Sequence, residues 1–210
     1  MNIIVLGPPG SGKGTQSKKL SKELDMDYFG TGDFSRNLAE YNPRLKGIVE
    51  SGDLIPEDEM TRYVGKYLEE KYDDVTNILF DGYPRFVSQY KFLKEWLEKR
   101  GSDKIVAIFL ELSDDVVIKR LSSRRICEKC GKEYNLVTNP PENSHCDCGG
   151  DLVSRADDNP ESIKERLVVY KENVEPLISY LESEGNLIKV NGDQSIKTIT
   201  DEILLSLKKI

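Results

Sequence analysis

Gly7-Pro8-Pro9-Gly10-Ser11-Gly12-Lys13-Gly14-Thr15 decides how this chain is read. Before it stands a short apolar run, Ile3-Ile4-Val5-Leu6, with the character of a buried strand. After it, Gln16 to Leu24 carries apolar and Lys residues at helical spacing. Strand, glycine-rich turn and helix together identify a phosphate-binding loop. Small residues let successive backbone N–H groups converge on one concavity, and the helix N-terminus adds partial positive charge. Lys13 then reaches the outer phosphates as a point charge. The residue after Lys13 is Gly14 and not Ser or Thr, so the hydroxyl left to stand beside Mg²⁺ is that of Thr15. A glycine-rich turn without a ligand is the plainer alternative, but Gly7, Gly10, Gly12 and Lys13 all fall in register.

The chain has 210 residues and 38% hydrophobic content, which predicts one main domain with insertions and a sizeable core. Its formal charge is −7, and no basic run is present that would track a nucleic-acid backbone. An acidic balance still permits a phosphate ligand, because a few placed Arg dominate a cleft locally. No secretory leader and no bilayer-length apolar run is expected. All four Cys lie between Cys127 and Cys148. That clustering points to a metal site, not a disulfide framework, and to a reducing, cytoplasmic location.

Working outward, Asp27-Tyr28-Phe29 reads as a second strand, and Gly30-Thr31-Gly32-Asp33 opens a helix with Thr31 as its N-cap. Arg36 lies one turn inside. Ser51 to Pro56 is a break, and Glu57 to about Tyr72 is helical, with Pro56 suited to a helix start. Asn77 to Phe80 is a third strand ending in Asp81. An acid at the C-terminal tip of a core strand faces the ligand crevice, where it can hold a water on Mg²⁺. Gly82-Tyr83-Pro84-Arg85 is a constrained loop presenting Arg85, with Gln89 a turn later on a helix to about Arg100. Trp96 on that helix reads as core.

Ile105 to Leu110 is a fourth strand, and Ser113 caps a helix from Asp114 to about Arg125. Arg120 and Arg124 are then at i and i+4 on one face. They are either an ordinary cationic helix end or phosphate ligands. The α/β pattern then lapses. Cys127-Glu128-Lys129-Cys130-Gly131, the rigid turn Asn139-Pro140-Pro141, and Cys146-Asp147-Cys148-Gly149-Gly150 form a turn-rich β insertion with too few apolar residues for a core. A bound metal supplies what such a segment lacks, and the second Cys pair disfavours a redox-type Cys-x-x-Cys. Arg155-Ala156-Asp157-Asp158 leads back. Asp157 and Asp158 either latch onto nearby cations or form a solvated helix start. Asn159-Pro160-Glu161 then begins a long helix whose apolar side runs from Ile163 to Leu181. Arg166 lies off that stripe, and Pro176 is expected to kink or stop the helix locally. Leu187 to Val190 is a fifth strand, and Ile196 to Lys209 a closing helix.

The phosphate loop, Thr31-Gly32-Asp33 with Arg36, Asp81-Gly82-Tyr83-Pro84-Arg85 with Gln89, and Arg155-Ala156-Asp157-Asp158 together resemble an adenylate kinase of the long-lid type. The resemblance spans essentially the whole chain in order. It implies an α/β phosphate-loop NTPase fold with a five-stranded parallel sheet flanked by helices. Residues 1–30, 57–125 and 155–210 would form the core, 31–56 a helical monophosphate-binding insertion, and 126–154 a β-rich, zinc-binding lid. The implied reaction is reversible transfer of the γ-phosphoryl of MgATP to AMP, giving two ADP. Gly10, Ser11, Gly12, Lys13, Gly14 and Thr15 would hold ATP phosphates. Arg120 would lie over the ATP base, Glu133 and Tyr134 would touch ATP from the lid, and Gln194 would meet its adenine, although that position is often Lys. Thr31, Arg36, Asp53, Leu54, Ile55, Gly82, Tyr83, Pro84, Arg85 and Gln89 would bind AMP. Arg124 would contact phosphates, and Arg155 and Arg166 would bridge the two nucleotides.

Cys127 and Cys130 are two of the implied zinc ligands. Cys148 follows, and the fourth is Cys146 or His145. His145-x-x-Cys148 has the ordinary bite, whereas thiolates bind zinc more strongly than imidazole. The residues agree with phosphoryl transfer, which needs charge neutralisation and alignment more than covalent chemistry. Lys13, Arg85, Arg124, Arg155 and Arg166 form the catalytic set, and no general base is required of an anionic AMP phosphate. A kinase for another nucleoside monophosphate, or one using GTP, is the nearest alternative. A GTPase-like switch lacks its D-x-x-G and N-K-x-D, and a zinc-ribbon nucleic-acid module conflicts with the −7 charge. ATP and AMP or ADP are the expected partners, with neither nucleic acid nor membrane, and the chain is taken as a monomer by default.

Overall fold

The structure, a computed structural model, describes residues 1–72, 77–102 and 104–210. In chain order its first half comprises β1 (Asn2–Leu6), α1 (Lys13–Glu23), β2 (Asp27–Gly30), α2 (Thr31–Glu40), α3 (Pro43–Ser51), α4 (Glu57–Lys71), β3 (Ile78–Asp81) and α5 (Val87–Glu98). Then follow β4 (Ile105–Glu111), α6 (Asp114–Ser122), β5 (Arg124–Cys127), β6 (Glu133–Asn135), β7 (Leu152–Val153), a 3₁₀ turn at Ala156–Asp158, α7 (Pro160–Ser183), β8 (Leu187–Asn191) and α8 (Ile196–Leu207).

β1 is buried at every residue, which is what a central strand of a sheet covered on both faces requires. It pairs in parallel with β3 on one side and β4 on the other. Among the described residues the main sheet has the order β2-β3-β1-β4-β8, all parallel. The alternation along β1 divides the core. Ile3 and Val5 pack with Leu20 of α1 and with Ile199 and Ile203 of α8. Ile4 and Leu6 face the other way, onto a cluster with Val64 and Leu68 of α4, Leu93 and Leu97 of α5, and Val174 and Leu177 of α7. Trp96 belongs to that second cluster, and its Nε1–H donates to Glu69 at 2.7 Å. The loops leaving β1 and β3 open at the same end of the sheet, where ligands of open α/β sheets bind.

β5 pairs antiparallel with β6 and β7 in a separate sheet of order β6-β5-β7. This corrects one expectation. α6 ends at Ser122, and Arg124 is already the first residue of β5, paired with Asn135. Arg120 and Arg124 therefore do not share a helix face. Three smaller expectations also change. Thr31 is the first residue of α2 and not its cap, Gly30 taking that place. Ser113 stands at the cap position of α6, but its side chain makes no capping bond. α7 runs unbroken through Pro176, because the buried row from Ile163 to Leu181 holds it against its neighbours despite the missing N–H. Its start is as expected, with the Asn159 side chain accepting from Glu161 and Ser162 N–H and Pro160 next.

Candidate active site

A cavity of about 870 Å³ opens at the C-terminal end of the sheet. The phosphate loop, the tip of β3, α2, α3 and the second sheet all border it.

Gly10 and Gly12 adopt φ of 75° and 88°, a left-handed conformation open to glycine at little cost. Gly12 is also the N-cap of α1, so the loop runs straight into the helix N-terminus. Lys13 Nζ donates to the carbonyls of Gly7 and Pro8 at 2.8 and 2.9 Å, curling back over the loop. Burial pushes its ammonium down to about 7; Asp81 opposes this, and Arg85, Arg166 and Arg124 add to it. Burial, more than the neighbouring guanidiniums, is why this lysine gives up its proton readily. Thr15 borders the cavity from the first turn of α1.

Asp81 sits at the end of β3, held above the ordinary carboxylate range by burial, while Lys13, the Tyr28 hydroxyl and Arg85 pull the other way. The next residues form a tight turn. Gly82 has φ 70°, and the Tyr83–Pro84 peptide is cis. Arg85 Nε donates to Gly82 O at 3.0 Å, and its backbone N–H donates to Gln89 Oε1 at 2.9 Å. Burial, and then Arg166, lowers Arg85 to about 10. Thr31 Oγ1 donates to Asp81 O at 3.0 Å, which ties the start of α2 to the same strand tip. Among the described residues Arg36 reaches only Asp33, at 2.5 Å, and its side chain is 44% exposed and so free to turn to a ligand. Asp53, Leu54 and Ile55 line the cavity after α3. Pro84 does not line it.

The second sheet closes the opposite wall. Arg124 from β5 forms a bidentate pair with Asp158, at 2.7 and 2.6 Å. Asp158 also accepts from Arg166 at 3.1 Å, and its side chain is only 1% exposed. Asp157 accepts from Arg155 at 2.9 and 3.0 Å and from Arg166 at 2.9 Å. Burial works against the Asp157 carboxylate, but Arg166, Arg155 and Arg124 outweigh it and hold it below the usual range. Of the two readings left open for these acids, the latch is the one realised. Three guanidiniums share these two buried carboxylates. Arg155 also reaches Glu133 on β6 at 3.3 Å.

Arg120 lies apart from this cluster, buried, with Nη2 donating to Gly192 O at 2.9 Å and to Asp193 at 3.2 Å. Gln194 borders the same corner and donates to Asn191 O and Glu202. Tyr134 lines the cleft, and its hydroxyl donates to Cys146 Sγ at 3.4 Å. The sulfurs of Cys127, Cys130, Cys146 and Cys148 all lie within 4.8 Å of one another. Cys127 and Cys148 are 3.5 Å apart, and Cys130 and Cys146 3.6 Å. Tetrahedral zinc with four thiolates places sulfurs about 3.8 Å apart, so the four sulfurs fit the metal. His145 stands outside this group, 60% exposed, with Nδ1 3.2 Å from Asp151.

Tyr28, Val49, Met60, Lys132 and Asn135 border the cavity without having been singled out in the sequence. Val49 and Met60 sit at helical spacing among other apolar residues, where core and ligand contacts look alike. Asn135 and Lys132 lie in the turn-rich insertion, which has no period to mark them.

The family model described as Adenylate kinase matches residues 5–186. Named adenylate kinases of Thermosipho melanesiensis and Kosmotoga olearia are 41% and 39% identical to the chain, over the full length of both partners. An adenylate kinase of Caldanaerobacter subterraneus is 38% identical over all of this chain and 95% of its own.

Proposed function

The chain belongs to the adenylate kinase family and transfers a phosphoryl group between ATP and AMP, and we propose the following assignment of that reaction to its residues. ATP lies with its phosphates along Gly10 to Thr15 and its base between Arg120 and Gln194, covered by Glu133 and Tyr134. AMP lies against Thr31, Arg36, Asp53 to Ile55, Gly82 to Arg85 and Gln89. Pro84 contributes through the shape of the turn and not by contact. Residues 31–56 act as the monophosphate clamp and 126–154 as the lid, on a core formed by the remaining segments.

The observation that carries this reading is the convergence of Lys13, Arg85, Arg124, Arg155 and Arg166 on one cleft. A phosphate oxygen of AMP attacks the γ-phosphorus of ATP, and the bond to the β–γ bridging oxygen breaks, leaving ADP on both sides. No proton has to be removed from the nucleophile. The five cations neutralise the charge on the transferring group and align it. Arg124 and Arg166 are already desolvated, so little reorganisation is needed when phosphates exchange for the carboxylates of Asp157 and Asp158. Mg²⁺ accompanying ATP supplies further neutralisation at the outer phosphates. Thr15 would hold it by its hydroxyl, and Asp81 by a bound water. Closure of clamp and lid excludes water, which would otherwise take AMP's place.

Zinc on the four thiolates is structural in this reading, because a complete shell leaves no open position. Among the described residues no helix is long and apolar enough to cross a membrane. We assign the enzyme to the cytoplasm, in keeping with its four unpaired Cys, and take it as a monomer without nucleic-acid partners, in keeping with a formal charge of −7. The test is a coupled assay of ATP with AMP, CMP, UMP and GMP. AMP is expected to be the preferred acceptor, and Lys13→Met is expected to lose several orders of magnitude in turnover while remaining folded. Equal rates on all four acceptors, or near-normal turnover in Lys13→Met, would overturn the assignment.

A further inference from the structure

Two residues that belong to no motif converge on Asp81. Tyr28 and Gly30 are two apart on β2 and so share one face of the strand. Gly30 stands in register beside Asp81 on the neighbouring β3. To reach the Asp81 carboxylate, the Tyr28 ring has to pass over Gly30, and it does so, its hydroxyl donating to Oδ2 at 2.8 Å. A Cβ on Gly30 would lie 2.6 Å from Tyr28 Oη and 2.9 Å from two ring carbons. The Gly30 backbone, φ −106° and ψ 111°, is ordinary extended chain that any residue adopts. What this position requires is therefore the absence of a side chain and not freedom of φ. Asp81 Oδ2 also lies close to the start of α1, 3.4 Å from where a Cβ on Gly14 would stand.

We propose that Tyr28 is a positioning residue for Asp81, that Gly30 is bare so that the ring can pass, and that the pair sets how readily the enzyme uses Mg²⁺. The phenol fixes the rotamer of the carboxylate and occupies Oδ2. That leaves Oδ1, which accepts no hydrogen bond among the described residues, as the oxygen for a metal-bound water. Outer partners of this kind tune a metal site through the orientation of its inner groups. The inference rests on the assignment of Asp81 to that water.

The test measures the half-saturating free Mg²⁺ for turnover and, without turnover, the affinity for Mg²⁺ of the complex with a non-hydrolysable ATP analogue by titration calorimetry, with the KM for AMP alongside. The two Mg²⁺ readouts are expected to shift together. Tyr28→Phe removes only the hydroxyl and is expected to raise the Mg²⁺ requirement about tenfold, with the KM for AMP unchanged. Gly30→Ala is expected to do the same by displacing the ring. On a Tyr28→Ala background, Gly30→Ala is expected to add nothing, because the two act through one contact. Asp81→Asn separates the two layers of the argument. An unshifted Mg²⁺ requirement in Asp81→Asn would remove Asp81 from the metal site and this inference with it. A shift in Asp81→Asn with none in Tyr28→Phe, or additive effects of Tyr28→Ala and Gly30→Ala, would overturn the role of Tyr28 alone.

Discussion

ATP binding is expected to draw a proton from solvent onto Lys13 at mildly alkaline pH. In the free protein burial, reinforced by three neighbouring guanidiniums, lowers this lysine to about 7, against an ordinary value of about 10.4. At pH 8 about nine in ten Lys13 side chains are then neutral. A triphosphate at Nζ reverses the balance, because an opposite charge at contact favours the ammonium. With the value restored toward normal, uptake is about 0.9 proton per chain at pH 8 and falls to about 0.1 at pH 6. Isothermal titration with ATP, in buffers that differ in ionisation enthalpy, reads this number as the slope of apparent binding enthalpy on buffer enthalpy. ATP itself carries no titratable proton at pH 8 that could mimic the effect. Lys13→Met is expected to flatten the slope. The stability of the free protein follows with a defined sign. Between pH 7 and about 10.4 the unfolded chain holds more of this proton than the folded one, so the contribution of Lys13 to stability rises with pH across that window. The penalty for burying the charge is fully present below pH 7. A zero slope at pH 8 with ATP binding intact would refute the reasoning.

Two further outcomes separate the roles of the remaining residues. Arg124→Ala is expected to lower kcat by about 10²–10³ with little change in either KM, since its charge acts on the transferring group. Arg36→Ala is expected to raise the KM for AMP alone, and steady-state kinetics of both variants check the division. Metal analysis is expected to give about one zinc per chain. Cys146→Ser is expected to release it and lower the melting temperature of the lid, whereas His145→Ala is expected to leave both unchanged, because its ring is turned to Asp151 and away from the sulfurs.

The core of the fold was legible because its signals are local. Ile3 to Leu6, Ile78 to Phe80 and Ile105 to Leu110 are continuous apolar runs, as strands covered on both faces require, and their short length sets them apart from buried helices. The Asn159 cap and Pro160 marked the start of α7 for the same reason, since capping chemistry is decided within three residues. The misplaced boundaries are those where long-range packing outweighs local preference. Pro176 lacks its N–H, but one lost bond in a helix of 24 residues is small against a row of buried side chains. The end of α6 was misplaced because Ser122-Ser123-Arg124-Arg125 is polar throughout and carries no period, so nothing local distinguishes a further helical turn from the first residues of β5.

Within the site, the same division sorts the residues. That Lys13, Asp81, Arg85 and Gln89 border the cavity was legible because a glycine-rich loop and a strand tip present them wherever the chain folds this way, and a hydrogen bond from Arg85 N–H ties Gln89 to Arg85 over four positions. Asp157 and Asp158 stayed ambiguous between latch and solvated helix start because their partners, Arg124 and Arg166, come from β5 and α7. Tyr28 was illegible for a stronger reason. Its partner is 53 residues away, and the contact depends on the register that sets Gly30 beside Asp81. A glycine before Thr31 looks like any strand-to-helix turn. Its meaning follows only once the neighbouring strand is placed and the space over its Cα is found to hold a tyrosine ring. Residues whose roles follow from the local backbone can be read from sequence. Those that tune them are set by register between strands, and a one-residue slip of β2 against β3 would remove the Tyr28–Asp81 contact while leaving every motif in the chain intact.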